Sequence, residues 1–115
     1  MVLQRERRGS TVHVQVVTYR IPEMSDDDFM EANQEFAAMM AAVPGLLAKV
    51  WLKAPSGSVY GGVYLWRDRQ AYEEFLSSEL WASVLSDDSL TDLDSRDFAA
   101  MEELTRLTQP GLDIC

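Results

Sequence analysis

The residues best suited to chemistry gather around one predicted hairpin: Lys49 and Trp51 on its first strand, Tyr60, Gly61, Gly62, Tyr64 and Trp66 on its second. Side chains at alternate positions of paired strands share a face, so the aromatics line one surface. A turn at Ala54, Pro55, Ser56 and Gly57 sets Lys53 opposite Ser58, Trp51 opposite Tyr60, Lys49 opposite Gly62 and Leu47 opposite Tyr64. Trp51 and Tyr60 then form a cross-strand aromatic pair. Gly62 leaves room for the Lys49 stem, or for a ligand, to lie over the sheet. An earlier strand adds His13, Gln15 and Tyr19 as polar groups within reach. A concave aromatic surface with a few polar groups is the usual form of a small-molecule site. Each feature also has a plainer reading. His13 reads equally as a satisfied core histidine, the aromatics as packing, Lys49 as a snorkelling stem and the glycine pair as a provision for twist.

Other chemistries find no footing. The chain has no Gly-rich phosphate loop, no dinucleotide-binding fingerprint and no zinc-ligand spacing. Its single histidine stands near the start of the first strand, where no Ser-His-Asp order can use it. Asp26, Asp27 and Asp28 adjoin at a helix start, where they complement the helix dipole. Cys115 is the sole cysteine and forms no internal disulfide; it is either a link between chains or an uninvolved end. A formal net charge of −9 over 115 residues sets nucleic acid and anionic membranes aside as main partners. No apolar run reaches the ~18–20 residues of a membrane span, and the leading segment lacks a secretory signal's apolar stretch, so the expected location is cytoplasmic.

Six elements must position these residues. Thr11 to Arg20 is β-branched and alternating, a first strand with Val12, Val14 and Val16 on one face and His13, Gln15, Val17 and Tyr19 on the other. Ser25 caps a helix whose stripe is Phe29, Ala32, Phe36, Met39, Met40 and Val43, ended by Pro44-Gly45. The hairpin strands span 46–53 and 58–66. Asp68 caps a second helix through Tyr72, Phe75 and Leu76, with a further turn bearing Leu80, Trp81, Val84 and Leu85. Ser86 to Asp94 reads as a solvated loop. Arg96 to Thr108 has helical composition, but the sheet needs a fourth strand beside the first, and we assign it there. The result is one α+β domain of order β-α-β-β-α-β over 11–112, with 1–10 as a disordered tail.

Both hairpin faces are apolar: Ala48, Val50, Leu52, Val59, Val63 and Leu65 on one, Leu47, Trp51, Tyr60, Tyr64 and Trp66 on the other. One protomer's helices cover a single face, so a homodimer is expected, against the alternative of a monomer with one apolar face exposed.

The run Pro44-Gly45, Lys49, Trp51, then Gly61-Gly62-Val63-Tyr64-Leu65-Trp66-Arg67-Asp68 resembles the YdhR-like monooxygenases, within the dimeric α+β barrel group that includes antibiotic-biosynthesis monooxygenases. The resemblance covers about 12–112. It implies a ferredoxin-like protomer with a four-stranded antiparallel sheet, and two sheets closing into one barrel. Related barrels oxidise aromatic polyketides to quinones with no metal, flavin or other cofactor, the deprotonated substrate supplying the electrons. Carried over, that chemistry makes His13 or Lys49 the base or cation, Tyr64 and Gln15 hydrogen-bond partners, and Trp51 and Trp66 walls, with Tyr19 and Tyr60 beside them. Other barrels of the group degrade haem using a tryptophan and a histidine on the second helix. The matching stretch here has Phe75 and Leu85 and no histidine, so haem ligation is not expected. The leading expectation is a cofactor-independent monooxygenase acting on a small aromatic or polyketide-like compound. A cyclase or isomerase in the same pocket, and a non-catalytic small-molecule-binding dimer, remain the alternatives.

Overall fold

In the computed structural model, which describes residues 11–22, 24–55 and 57–109, the chain runs β1 (His13–Arg20), α1 (Asp26–Ala32), α2 (Gln34–Ala41), β2 (Leu46–Lys53), β3 (Val59–Trp66), α3 (Arg69–Leu76), α4 (Glu79–Leu85), β4 (Thr91–Ala99) and α5 (Glu102–Leu107). The strands form one antiparallel sheet ordered β2-β3-β1-β4. This is the ferredoxin-like arrangement, with α5 appended. The expected tail at 1–10, and Pro110, Gly111 and Cys115, lie outside the described residues.

Local signals set most of the boundaries. The Ser25 hydroxyl accepts from the Asp28 amide at 3.1 Å and Asp68 accepts from the Ala71 amide at 2.9 Å, each satisfying a helix-start donor. Ser78 caps α4 in the same way. The first helix is not continuous, however. Asn33 donates its side-chain amide to the Phe29 carbonyl at 2.9 Å, and α2 starts anew from it. Past this break Met39 is exposed and Ala32 borders an open cavity, so the packed stripe narrows to Phe29, Phe36, Met40 and Val43.

The hairpin register differs from expectation by two residues. Ala54 donates to the Val59 carbonyl, moving the loop one position along, so Lys53 pairs with Tyr60, Trp51 with Gly62 and Lys49 with Tyr64. A two-residue slip preserves the face of every side chain and changes only its neighbours. An irregularity between Leu46 and Ala48 then leaves Leu47 exposed and out of the expected pairing with Tyr64.

The fourth strand occupies Thr91–Ala99, earlier than the expected 96–108, and so absorbs the end of the predicted loop. Antiparallel pairing from Val14↔Phe98 to Thr18↔Asp94 fixes it against β1. Beyond it, helical propensity prevails in α5.

The helices cover the aromatic face. Val17, Met40, Tyr64, Trp66, Ala71, Tyr72, Phe75 and Trp81 form the main core there, and Ile21, Phe29 and Tyr60 a smaller one. The opposite face, through Val14, Val16, Val50, Val63, Leu65 and Phe98, has no helix over it among the described residues: Val50 stays 54% and Phe98 51% exposed.

Candidate functional site

Lys49 lies on the helix-covered face of β2, paired with Tyr64. Its stem crosses Gly62, where a Cβ would come within 2.9 Å of Lys49 Cε, so the glycine is what allows the lysine to lie flat. Gly61 serves a different contact, since a Cβ there would run into the Val17 carbonyl of β1. The amine ends among three rings: Nζ is 3.7 Å from the Trp51 centroid, 4.5 Å from Tyr64 and 5.0 Å from Phe36 of α2. No carboxylate within the described residues pairs with it. Two effects compete at this nitrogen. Ring faces favour the ammonium form, while removal from water favours the amine. Removal from water dominates, and burial draws the Lys49 pKa down to about 7.

Beside the amine is a cavity of about 270 Å³ between sheet and helices. Val17, Tyr19, Lys49, Trp51 and Tyr64 form its floor, and Phe29 and Phe36 of the broken first helix pair form one wall. Beside Tyr19, Lys49 and Tyr64, its polar lining comes from Asn33 between the first two helices and from Ser83, Asp87 and Ser89 of α4 and the loop after it. Burial, with the charge of Asp87 adding to it, pushes the Tyr19 phenol up to about 12. Burial raises Tyr64 further, helped by Tyr19. Both phenols therefore stay protonated near neutral pH and can donate hydrogen bonds. A dry cavity of about 150 Å³ admits benzene, so the space here suits one or two fused rings.

The remaining expected site residues lie elsewhere. His13 points at β4, its Nε2 2.7 Å from Asp97 Oδ2, with its ring 4.9 Å from that of Tyr72. The hydrogen bond from His13 holds the Asp97 carboxyl below its ordinary value. Trp66 Nε1 donates to Gln15 Oε1 at 3.0 Å, and Gln15 Nε2 donates to Ser95 Oγ at 3.1 Å. Trp66 and Gln15 are both 0% exposed, and neither they nor His13 line the cavity. Tyr60 stacks on Phe29 at 4.3 Å, donates to the Met24 carbonyl at 3.0 Å and faces an adjoining groove of about 370 Å³ at the β2 edge, which shares Phe29, Asn33 and Trp51 with the cavity. The structure thus brings Lys49, Trp51, Tyr64 and Tyr19 together around the cavity, whereas His13, Gln15, Trp66 and Tyr60 lie on the same sheet face without lining it, Gln15 across from Tyr64 and Tyr60 across from Tyr19. Phe36 and Asp87 were not anticipated as site residues. Phe36 was legible only as part of a helix stripe, and nothing local distinguishes Asp87 within its acidic loop. Among the described residues no group of three or more His, Cys, Asp and Glu could hold a metal ion, and no helix is long and apolar enough to cross a membrane.

The family model described as "Putative mono-oxygenase ydhR" matches residues 14–110. No curated protein matches the chain in sequence. Among solved structures, SnoaB, a cofactor-independent oxygenase from Streptomyces nogalater, is 17% identical with a TM-score of 0.64, over 80% of this chain and 95% of that one. A "putative antibiotic biosynthesis monooxygenase" from Caulobacter crescentus CB15 is 15% identical with a TM-score of 0.65, over 85% and 99%. The heme-degrader MhuD from Mycobacterium tuberculosis is 15% identical with a TM-score of 0.61, over 77% and 95%. Likeness at these identities establishes a common fold.

Proposed function

This chain belongs to the ydhR mono-oxygenase family, and from that premise we propose that it is a cofactor-independent monooxygenase acting on small aromatic or polyketide-like phenols of one or two rings. The observation that carries the reading is the Lys49 amine, poised between its two protonation states against a ring-walled cavity. SnoaB, described as a cofactor-independent oxygenase, has the same fold and supports it.

In the proposed reaction the Lys49 amine accepts the phenol proton, and the resulting ammonium remains among the faces of Trp51, Tyr64 and Phe36. The phenolate is electron-rich enough to reduce dioxygen, and a C–O bond forms at a ring carbon that bears hydrogen. Loss of that hydrogen as a proton and cleavage of the O–O bond give the quinone and one water, so all four oxidising equivalents of dioxygen are accounted for. Tyr64 and Tyr19, protonated at working pH, donate to the developing oxyanion or the peroxide. Trp51 and Phe36 hold the substrate plane and limit water. His13, with Asp97, and the Trp66–Gln15–Ser95 chain tie β3, β1 and β4 together behind this surface. The chain's single histidine is thereby committed away from the cavity, so the activity described for MhuD is not carried over.

The working unit in this proposal is a cytoplasmic homodimer, in which a second copy covers the open aliphatic face. Oxygen uptake with 1-naphthol and dihydroxynaphthalenes, followed together with quinone absorbance, tests the activity. One oxygen per quinone is expected, and Lys49→Met should lower the rate about a hundredfold or more, the usual contribution of a positioned base. Absence of uptake across that set with folded protein rejects the oxygenase reading.

A further inference from the structure

The Lys49 amine can do more than carry a proton. Nζ lies at the cavity with ring faces for neighbours and no ion-pair partner among the described residues. The chain's only other lysine, Lys53, is a built-in contrast: it ends β2 in a more open position, with its Nζ 3.4 Å from an Asp26 carboxylate oxygen. An amine drawn from water among ring faces, with no ion-pair partner among the described residues, is in the kind of environment in which lysine becomes a nucleophile toward carbonyl carbon.

We propose that Lys49 captures small aromatic aldehydes and ketones as an imine within the cavity. The inference rests on the same cavity and amine as the oxygenase reading, but it needs no oxygen. The nitrogen lone pair forms a bond to the carbonyl carbon while the C=O π pair moves to oxygen; oxygen takes up a proton and nitrogen releases one, giving the carbinolamine. Its hydroxyl group then takes a second proton and leaves as water while the nitrogen lone pair forms C=N, and the nitrogen releases its remaining proton to give the imine. Carbonyl and amine are the only reactants, water leaves, and no oxidant or reductant is consumed. Tyr64 and Tyr19 line the same space as protonated phenols suited to the carbonyl oxygen, and the polar groups of Ser83, Asp87 and Ser89 are a route for the water. The flat faces of Trp51 and Phe36 favour an aryl group on the carbonyl. Burial supplies the reactive form. About half of a lysine titrating near 7 is unprotonated at neutral pH, against roughly one in 2,500 for an ordinary lysine near 10.4.

Anaerobic incubation with 2-naphthaldehyde and cyanoborohydride, followed by peptide mass mapping, reads the capture directly. Lys49 should acquire the naphthylmethyl group at least about tenfold faster than Lys53, with the rate falling up to about tenfold per pH unit once the amine is mostly protonated. Added 2-naphthol should slow it, and Lys49→Arg should leave only the slow background. Labelling of Lys53 or the terminal amine as fast as Lys49, or no adduct at Lys49 in natively folded protein, overturns the proposal. Oxygen uptake on the same preparation separates the two readings. Capture without uptake rejects the oxygenase alone, and uptake without capture rejects the imine alone.

Discussion

Replacing Lys49 by methionine should stabilise the protein, and the gain should depend on pH. Methionine fills the space of the lysine stem and carries no charge into the cavity. In the unfolded chain Lys49 holds its proton up to about 10.5, whereas in the folded chain burial releases it at about 7. Between those values the unfolded state binds more protons, so wild-type stability rises with pH. Below about 7 both states are protonated and folding bears the whole cost; above about 10.5 neither is, and the cost vanishes. At about 1.4 kcal/mol per pH unit, a gap of some three to four units corresponds to roughly 4–5 kcal/mol. Because the value of about 7 already includes whatever the ring faces return, that figure is the whole linked cost at low pH. Urea unfolding of both proteins at fixed protomer concentration, near pH 6, 8 and 10, measures it. Any constant offset from methionine's own packing cancels when pH values are compared. The expected result is a stability difference largest near pH 6 and mostly gone near pH 10. A difference that is flat across the range, or a variant less stable than wild type at pH 6, would refute the account of Lys49 as a desolvated amine.

Two further outcomes follow from other parts of the sheet. Val50→Glu places a charge on the open aliphatic face, where Val50 is already half exposed, so it should spare protomer folding and convert a dimer to monomer by light scattering; a wild type that is itself monomeric at micromolar concentration removes the basis for that expectation. Trp66→Phe removes the donor to Gln15 Oε1 in a fully buried setting and should cost about 1–3 kcal/mol from the unsatisfied acceptor plus lost packing, and an unchanged urea midpoint would show that the Trp66–Gln15 bond contributes nothing.

The fold was legible where a signal was local. Ser25 and Asp68 mark helix starts by chemistry that acts within three residues, and the β-branched alternation of β1 survives any choice of partner. The hairpin shows where that legibility stops. Face membership depends on period two and was readable, but the neighbours of Trp51 and Lys49 depend on whether the loop starts at Ala54 or Pro55, a difference that composition does not encode. Lys49 was still legible as a stem lying over Gly62, because the diagonal neighbour is close enough to meet it. β4 was misplaced because its residues are polar and exposed; what makes Thr91–Ala99 a strand is the pairing edge offered by β1. The same limit hid the role of Asp87, which reaches the cavity only through the position of α4 and the loop after it. The sequence puts His13 on the same face as the aromatics but does not show its partner Asp97, which is 84 residues away.

The two faces of the sheet differ in a way that bears on where a site can form. The aliphatic face, with Val50 across from Val63 and Ala48 across from Leu65, presents small branched side chains that a second flat surface can cover without leaving space. The aromatic face cannot close so easily. Trp51, Tyr64 and Phe36 turn their ring faces toward the Lys49 amine, and rigid rings fixed by one charged group cannot also rotate to fill every gap. The break at Asn33 sets Phe29 and Phe36 on separate helices, so no single straight helix lies flush over the sheet. A cavity is the consequence, and hydrogen bonds outside it hold the neighbouring part of the same sheet face in place: His13 to Asp97, and Trp66 through Gln15 to Ser95. An apolar replacement at position 49 would allow the rings to pack more closely and the protein to gain stability, which is why a buried, unpaired lysine here is better explained by chemistry than by folding.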